Sequence, residues 1–270
     1  MDIVKNKSQN VLILSGLTLF AMFFIMYQAQ SSDGFSWPHL DRSDGKAPIA
    51  VSGNNVYVVW WGNNSGNYEV MFKSSNDGGK TFGDKINLSN STNGISVEAD
   101  IAASGNNVYV TFADNKSGLA DAYIMTSNDN GKTFNQEVLL TDNTNSTITN
   151  KTIMSQYKMK PSPYELKVAA EGNKVYALAT GAEKNSTSYQ PDVFLKVSED
   201  GGKTFGKDIN LSLSKEITSD RIQIKAIDDK VYVTWWDKNL DGIDIPLMRI
   251  SDDGGQTFGD KILLSNSTKS

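Results

Sequence analysis

Three arginines, one histidine and no cysteine bound the chemistry open to this chain of 270 residues. The arginines are Arg42, Arg221 and Arg249, and the histidine is His39. A lone histidine excludes a His-dependent nucleophilic triad and a His-rich metal site. The lack of cysteine excludes thiol catalysis and Cys-based metal centres. What remains is carboxylate, phenol and guanidinium chemistry. Candidate groups fall in short stretches: Glu98 with Asp100, Tyr164 beside Glu165, and Arg221 in Arg-Ile-Gln-Ile. A further stretch, WDKNLDGID, places Asp237, Asn239, Asp241 and Asp244 around Gly242, as oxygens do in a calcium loop. Met248 stands where such a loop carries its closing glutamate. A polar hairpin and a single structural Ca²⁺ site both fit, and no other cofactor is expected.

The elements that position these groups are announced by a repeat. The octapeptide Ser-x-Asp-x-Gly-x-Thr-Phe occurs four times, as SNDGGKTF, SNDNGKTF, SEDGGKTF and SDDGGQTF, beginning at Ser75, Ser127, Ser198 and Ser251. The copies start 52, 71 and 53 residues apart, a period that denotes stacked structural units. Asp77, Asp129, Asp200 and Asp253 can accept hydrogen bonds from backbone N–H groups just ahead, as in an Asx-turn. Gly79, Gly131, Gly202 and Gly255 permit the positive φ that such turns use. Phe82, Phe134, Phe205 and Phe258 offer an apolar plug after each turn. Around every octapeptide lie four short runs rich in β-branched and aromatic residues, bounded by Gly, Asn and Asp, the signature of strands. Gly-Asn-Asn at 53–55 and 105–107 suits a tight hairpin between the first two. No stretch between the copies reads as a long amphipathic helix.

Four-stranded units in tandem specify an all-β fold, a β-propeller. The octapeptide resembles the Asp-box, or BNR repeat, of the sialidase superfamily, and the likeness covers roughly residues 46 to 266. In that family the boxes sit at hairpins between third and fourth strands, on the side away from the active site. The resemblance therefore implies architecture more than catalysis. Sialidases are six-bladed, whereas four units are found here. A four-bladed ring is favoured; a six-bladed-like ring completed by degenerate segments and an open arc closed by self-association are the alternatives. The long middle gap contains Thr141 to Pro163, polar and too short for a blade, and is expected to be a loop.

In a propeller the first strands line the central channel. Counting back from the hairpin turns places Lys46, Glu98, Glu165 and Arg221, and then Pro48, Asp100, Lys167 and Gln223, around its mouth. Sialidase resemblance implies three arginines clamping a substrate carboxylate, a Tyr nucleophile paired with Glu, and an Asp acid/base. Lys46-Ala47-Pro48 stands where the family opens with Arg-Ile-Pro, and lysine lacks the bidentate fork. Arg221 fits the motif better; Arg249, in a third strand, should face away from the axis. Tyr164, Glu165 and Asp100 with Glu98 are the remaining catalytic candidates, although strand neighbours point to opposite faces. Lys46, Lys167, Trp61 and Trp236 are the candidate ligand-binding residues. In the pairs Trp60-Trp61 and Trp235-Trp236, one ring of each should pack between blades. The expectation is a glycan- or protein-binding scaffold without catalysis; the alternative is an exo-α-sialidase-type glycoside hydrolase.

Residues 11–27, VLILSGLTLFAMFFIMY, carry no charge and follow Lys5 and Lys7. They read as a signal-peptide core or an N-terminal anchor, which assigns 1–30 to targeting, 31–45 to a linker and 46–268 to the propeller. Either reading puts the propeller outside the cytoplasm, as a secreted or cell-surface protein. Ten Asn-x-Ser/Thr sequons, nine of them after the apolar run, agree with a glycosylated surface. A net charge of −5 without a basic stripe argues against nucleic acid as a partner.

Overall fold

A computed structural model describes residues 47–63, 66–92, 94–117, 121–141, 165–181, 191–214, 217–238 and 241–265. Lys46, Tyr164, Asn239, Arg42, His39, most of the 141–163 segment and the apolar run lie outside these residues. The described residues hold sixteen strands and no helix. They form four antiparallel sheets, each of four strands in chain order.

Blade 1 comprises β1 (Ile49–Ser52), β2 (Asn55–Gly62), β3 (Glu69–Ser75) and β4 (Ile86–Asn87). Blade 2 comprises β5 (Ser96–Ser104), β6 (Asn107–Asp114), β7 (Asp121–Ser127) and β8 (Val138–Leu139). Blade 3 is built of β9 (Leu166–Glu171), β10 (Lys174–Gly181), β11 (Asp192–Ser198) and β12 (Ile209–Asn210). Blade 4 is built of β13 (Thr218–Ile227), β14 (Lys230–Lys238), β15 (Asp244–Ser251) and β16 (Ile262–Leu263). These are four four-stranded β-propeller blades, one for each octapeptide, the blade count that the repeat favoured. Each first hairpin is a two-residue turn, with Gly53, Gly105, Gly172 and Asp228 at φ between 53° and 59°.

The octapeptides join third to fourth strands, and their hydrogen bonding repeats almost atom for atom. Ser75 Oγ donates to Asp77 Oδ1 at 2.7 Å and accepts from Gly79 N at 2.9 Å. Asp77 accepts from Thr81 N at 2.9 Å and from Thr81 Oγ1 at 2.6 Å. The same four bonds recur at Ser127/Asp129, Ser198/Asp200 and Ser251/Asp253. Such charge-assisted bonds favour the ionised carboxylate. They hold Asp77 and Asp253 at about 2, and Asp129 and Asp200 further below the usual range.

Blades pack in chain order, 1 on 2, 2 on 3 and 3 on 4. One apolar core joins blades 1 and 2 through Tyr57, Val59, Phe72, Ile101, Val110 and Phe112. Another joins blades 3 and 4 through Tyr176, Leu178, Ile222, Val233 and Trp235. The octapeptide turns serve these junctions. A Cβ on Gly131 would lie 2.6 Å from Phe72 of blade 1, and one on Gly255 3.1 Å from Tyr176 of blade 3. A Cβ on Gly202 would lie 2.9 Å from Thr126 and 3.6 Å from Tyr109 of blade 2. Glycine is therefore required twice over, for its φ and for contact with the blade before. Phe134 adds an edge-on contact to Phe72, with ring centroids 5.0 Å apart.

Candidate functional site

The first strands of blades 2 and 4 are not straight. Both are bulged, between Val97 and Asp100 and between Asp220 and Gln223. Glu98 and Arg221 occupy the bulges, each at φ 54°. A non-glycine residue in that region is uncommon, and bulges re-aim side chains. No glycine or proline marks either one, so counting residues along a regular strand could not reveal them.

The bulge turns Arg221 outward over its own blade. Its Nη2 lies 2.9 Å from Asp244 Oδ2, and its Nε 3.6 Å from Asp220 Oδ1. The guanidinium also lies over the Trp236 ring, 5.3 Å from the centroid, a favourable cation–π geometry. Lys238 Nζ approaches Asp244 at 3.9 Å. The bond to Asp244, aided by the Asp220 charge, holds the Arg221 pKa above its ordinary value. Burial pushes the Asp220 carboxyl up, against the pull of Arg221. The result is a rim of one aromatic ring, two cations and two carboxylates on blade 4, half open to solvent. Asp220 and the pairing role of Asp244 were not legible in the repeat pattern.

The other candidates are placed differently. Glu165 Oε2 accepts a hydrogen bond from Ile222 N at 2.8 Å, tying blade 3 to the bulge of blade 4. Asp100 Oδ2 accepts one from Val168 N at 3.0 Å, tying blade 2 to blade 3. Two of the expected catalytic carboxylates thus bridge consecutive first strands. Lys167 Nζ bonds the carbonyl of Leu166 at 3.1 Å. Trp61 packs half-buried against the core between blades 1 and 2, while Trp235 is buried in the core between blades 3 and 4. Arg249 donates to the carbonyls of Gly259, Phe258 and Leu211 at 2.6, 3.0 and 3.2 Å, away from the rim.

In the calcium-like loop, Asp237 is buried, and its Oδ1 accepts from Ser219 Oγ at 2.7 Å and Trp235 Nε1 at 2.8 Å. Asp244 is paired with Arg221, and Asp241 is exposed. Among the described residues, no three His, Cys, Asp or Glu side chains come together as a metal cluster would require. Among the same residues, no helix is long and apolar enough to cross a membrane.

No family model and no curated protein matches the sequence. Solved structures do match. A protein of unknown function from Dyadobacter fermentans is 13% identical, with a TM-score of 0.58 over 81% of this chain and 68% of that one. The NanB sialidase from Streptococcus pneumoniae is 11% identical, with a TM-score of 0.51 over 83% of this chain and 52% of its own. A Trypanosoma rangeli sialidase is 14% identical, with a TM-score of 0.51 over 81% of this chain and 36% of its own. The chain thus spans about half or less of these sialidases. At such identities the likeness establishes the fold, a sialidase-like β-propeller.

Proposed function

We propose that the chain is an exported propeller of the Asp-box type that binds a polar ligand, a glycan or a surface protein, without hydrolysing it. The observation that carries this reading is the blade 4 rim, where Arg221 stacks on Trp236 between Asp220 and Asp244. An aromatic face flanked by a guanidinium and carboxylates suits a ring of hydroxyls with a charged substituent. Hydrolysis of the sialidase kind asks for more. It calls for converging arginines, and Arg249 is bonded to three main-chain carbonyls. It calls for free carboxylates, and Glu165 and Asp100 each bridge two blades. The uncharged run at 11–27 and the sequons favour an extracellular setting.

The test pairs two assays on the full chain. Binding on an array of acidic and neutral glycans is expected, reduced at least tenfold by Trp236→Ala and by Arg221→Ala. A fluorogenic sialoside is expected to give a flat trace. Turnover that disappears in Arg221→Ala would establish exo-sialidase activity in place of the binding reading.

A further inference from the structure

Every junction between consecutive blades has two halves. The leading half is an octapeptide turn whose fixed fifth-position glycine is buried: Gly131, Gly202 and Gly255. The receiving half includes the tyrosine at the third residue of the preceding blade's second strand, and Tyr57, Tyr109 and Tyr176 are all fully buried. Three junctions account for three of each. One leading half and one receiving half are left over, at opposite ends of the arc.

At the blade 1 end, Gly79 is exposed, and a Cβ there would meet only Val56 of its own blade. Phe82 is 41% exposed, whereas Phe134 and Phe258 pack into cores. Ile49 and Val51 on β1 are 62% and 60% exposed; the counterpart of Ile49 in blade 2, Ile101, is 6% exposed and packs on blade 1. At the blade 4 end, Tyr232 holds the position of the three buried tyrosines yet is only half-buried. Ile227 beside it is exposed. Among the described strands, no packing like that of the internal junctions joins blade 4 to blade 1.

We infer that a second copy of this chain docks head to tail, its blade 1 on the open face of blade 4. Both halves of the contact are already used three times within each chain, so the interface is a continuation of an established one. Charge agrees. Across the junction of blades 3 and 4, Gln256 donates to Glu199 at 3.1 Å. The residues at those two positions on the open ends are Lys80 and Asp252, which are opposite in sign, with Asp252 also paired to Lys230 of its own blade. An isologous pairing would set blade 1 on blade 1 and leave Gly79 without its tyrosine. The contact is therefore heterologous, and it closes or propagates. Two arcs of four blades close at eight, the upper end of the roughly four-to-eight range of propellers. Trp61 stays half-buried inside its own junction, so docking leaves the rim at its counterpart Trp236 accessible.

The absence of cysteine makes a direct test possible. Full chains carrying Lys80→Cys or Asp252→Cys are purified in mild detergent, mixed, and treated with a short bis-maleimide. Both positions are exposed in the single arc. A band of twice the chain mass is expected from the mixture and from neither variant alone, and light scattering should give at least double the single-chain mass. Adding Ile49→Lys and Val51→Lys should remove the band and restore the single-chain mass. A single-chain mass without the band overturns the inference, as does cross-linking in one variant alone. Efficient cross-linking inside one chain carrying both cysteines would instead mean that the arc closes on itself, which also overturns it.

Discussion

Replacing Gly131 by alanine tests the physical reason for the octapeptide's fixed glycine. Two costs are separable at this residue. The first is conformational: Gly131 sits at φ 76°, where an L-residue loses about 1–2 kcal/mol. The second is steric: the added Cβ would lie 2.6 Å from Phe72 Cζ and 2.9 Å from its Cε1. Phe72 is fully buried and stacked with Tyr57, so the ring cannot swing aside, and overpacking of this kind costs about 1–3 kcal/mol. Gly105→Ala isolates the first cost, because Gly105 has φ 57° and nothing within 4 Å of its would-be Cβ. At roughly 2–4 °C per kcal/mol for a body of this size, Gly131→Ala should melt about 2–12 °C below Gly105→Ala. Thermal unfolding of the full chain, followed by near-ultraviolet circular dichroism, reads the difference. Equal melting temperatures would refute the reasoning, since the glycine would then serve φ alone and the turn would not press on the blade before it.

Three further outcomes are expected. The four turn aspartates have folded pKa values depressed by hydrogen bonds, so their contribution is complete above the ordinary carboxylate pKa near 4; it is lost as pH falls toward about 2 for Asp77 and Asp253 and at still lower pH for Asp129 and Asp200, so an acid titration should show stability falling from about pH 4 downward, less steeply in Asp77→Asn. Asp237→Ala leaves buried Ser219 Oγ and Trp235 Nε1 without their acceptor, which should cost about 2–5 kcal/mol in denaturant melts, with Asp237→Asn recovering most of it through the retained carbonyl oxygen. Glu165→Ala should cost about 1–3 kcal/mol by orphaning Ile222 N, and glycan binding at Trp236 should survive in Glu165→Gln.

The fold was legible because its determinants are local. A serine, an aspartate and a glycine within eight residues write a complete turn, and Val-Tyr runs write the second strand of every blade. The count of blades followed from counting turns. The site was less legible for a reason that is equally local. Bulges at Glu98 and Arg221 carry positive φ on residues that do not advertise it, so regular alternation misassigns where those side chains point. The use of Glu165 and Asp100 as links between first strands was hidden too. Such a bond joins residues 57 or 68 positions apart, and nothing in the spacing of either residue encodes its partner. The Trp235-Trp236 pair marks Trp236 in the sequence, whereas its guanidinium partner is set by the bulge at Arg221.

Every sheet is made from one uninterrupted stretch of chain, with strands in the order they are synthesised. No blade borrows a strand from the other end of the molecule. An in-frame duplication or deletion of one unit therefore cuts no sheet, and it places a standard turn against a standard tyrosine at the new boundary. Blade number is in this sense a heritable variable with little folding penalty. Chains of the same chemistry with more or fewer units are accessible by single recombination events, each folding by the same nearest-neighbour rules.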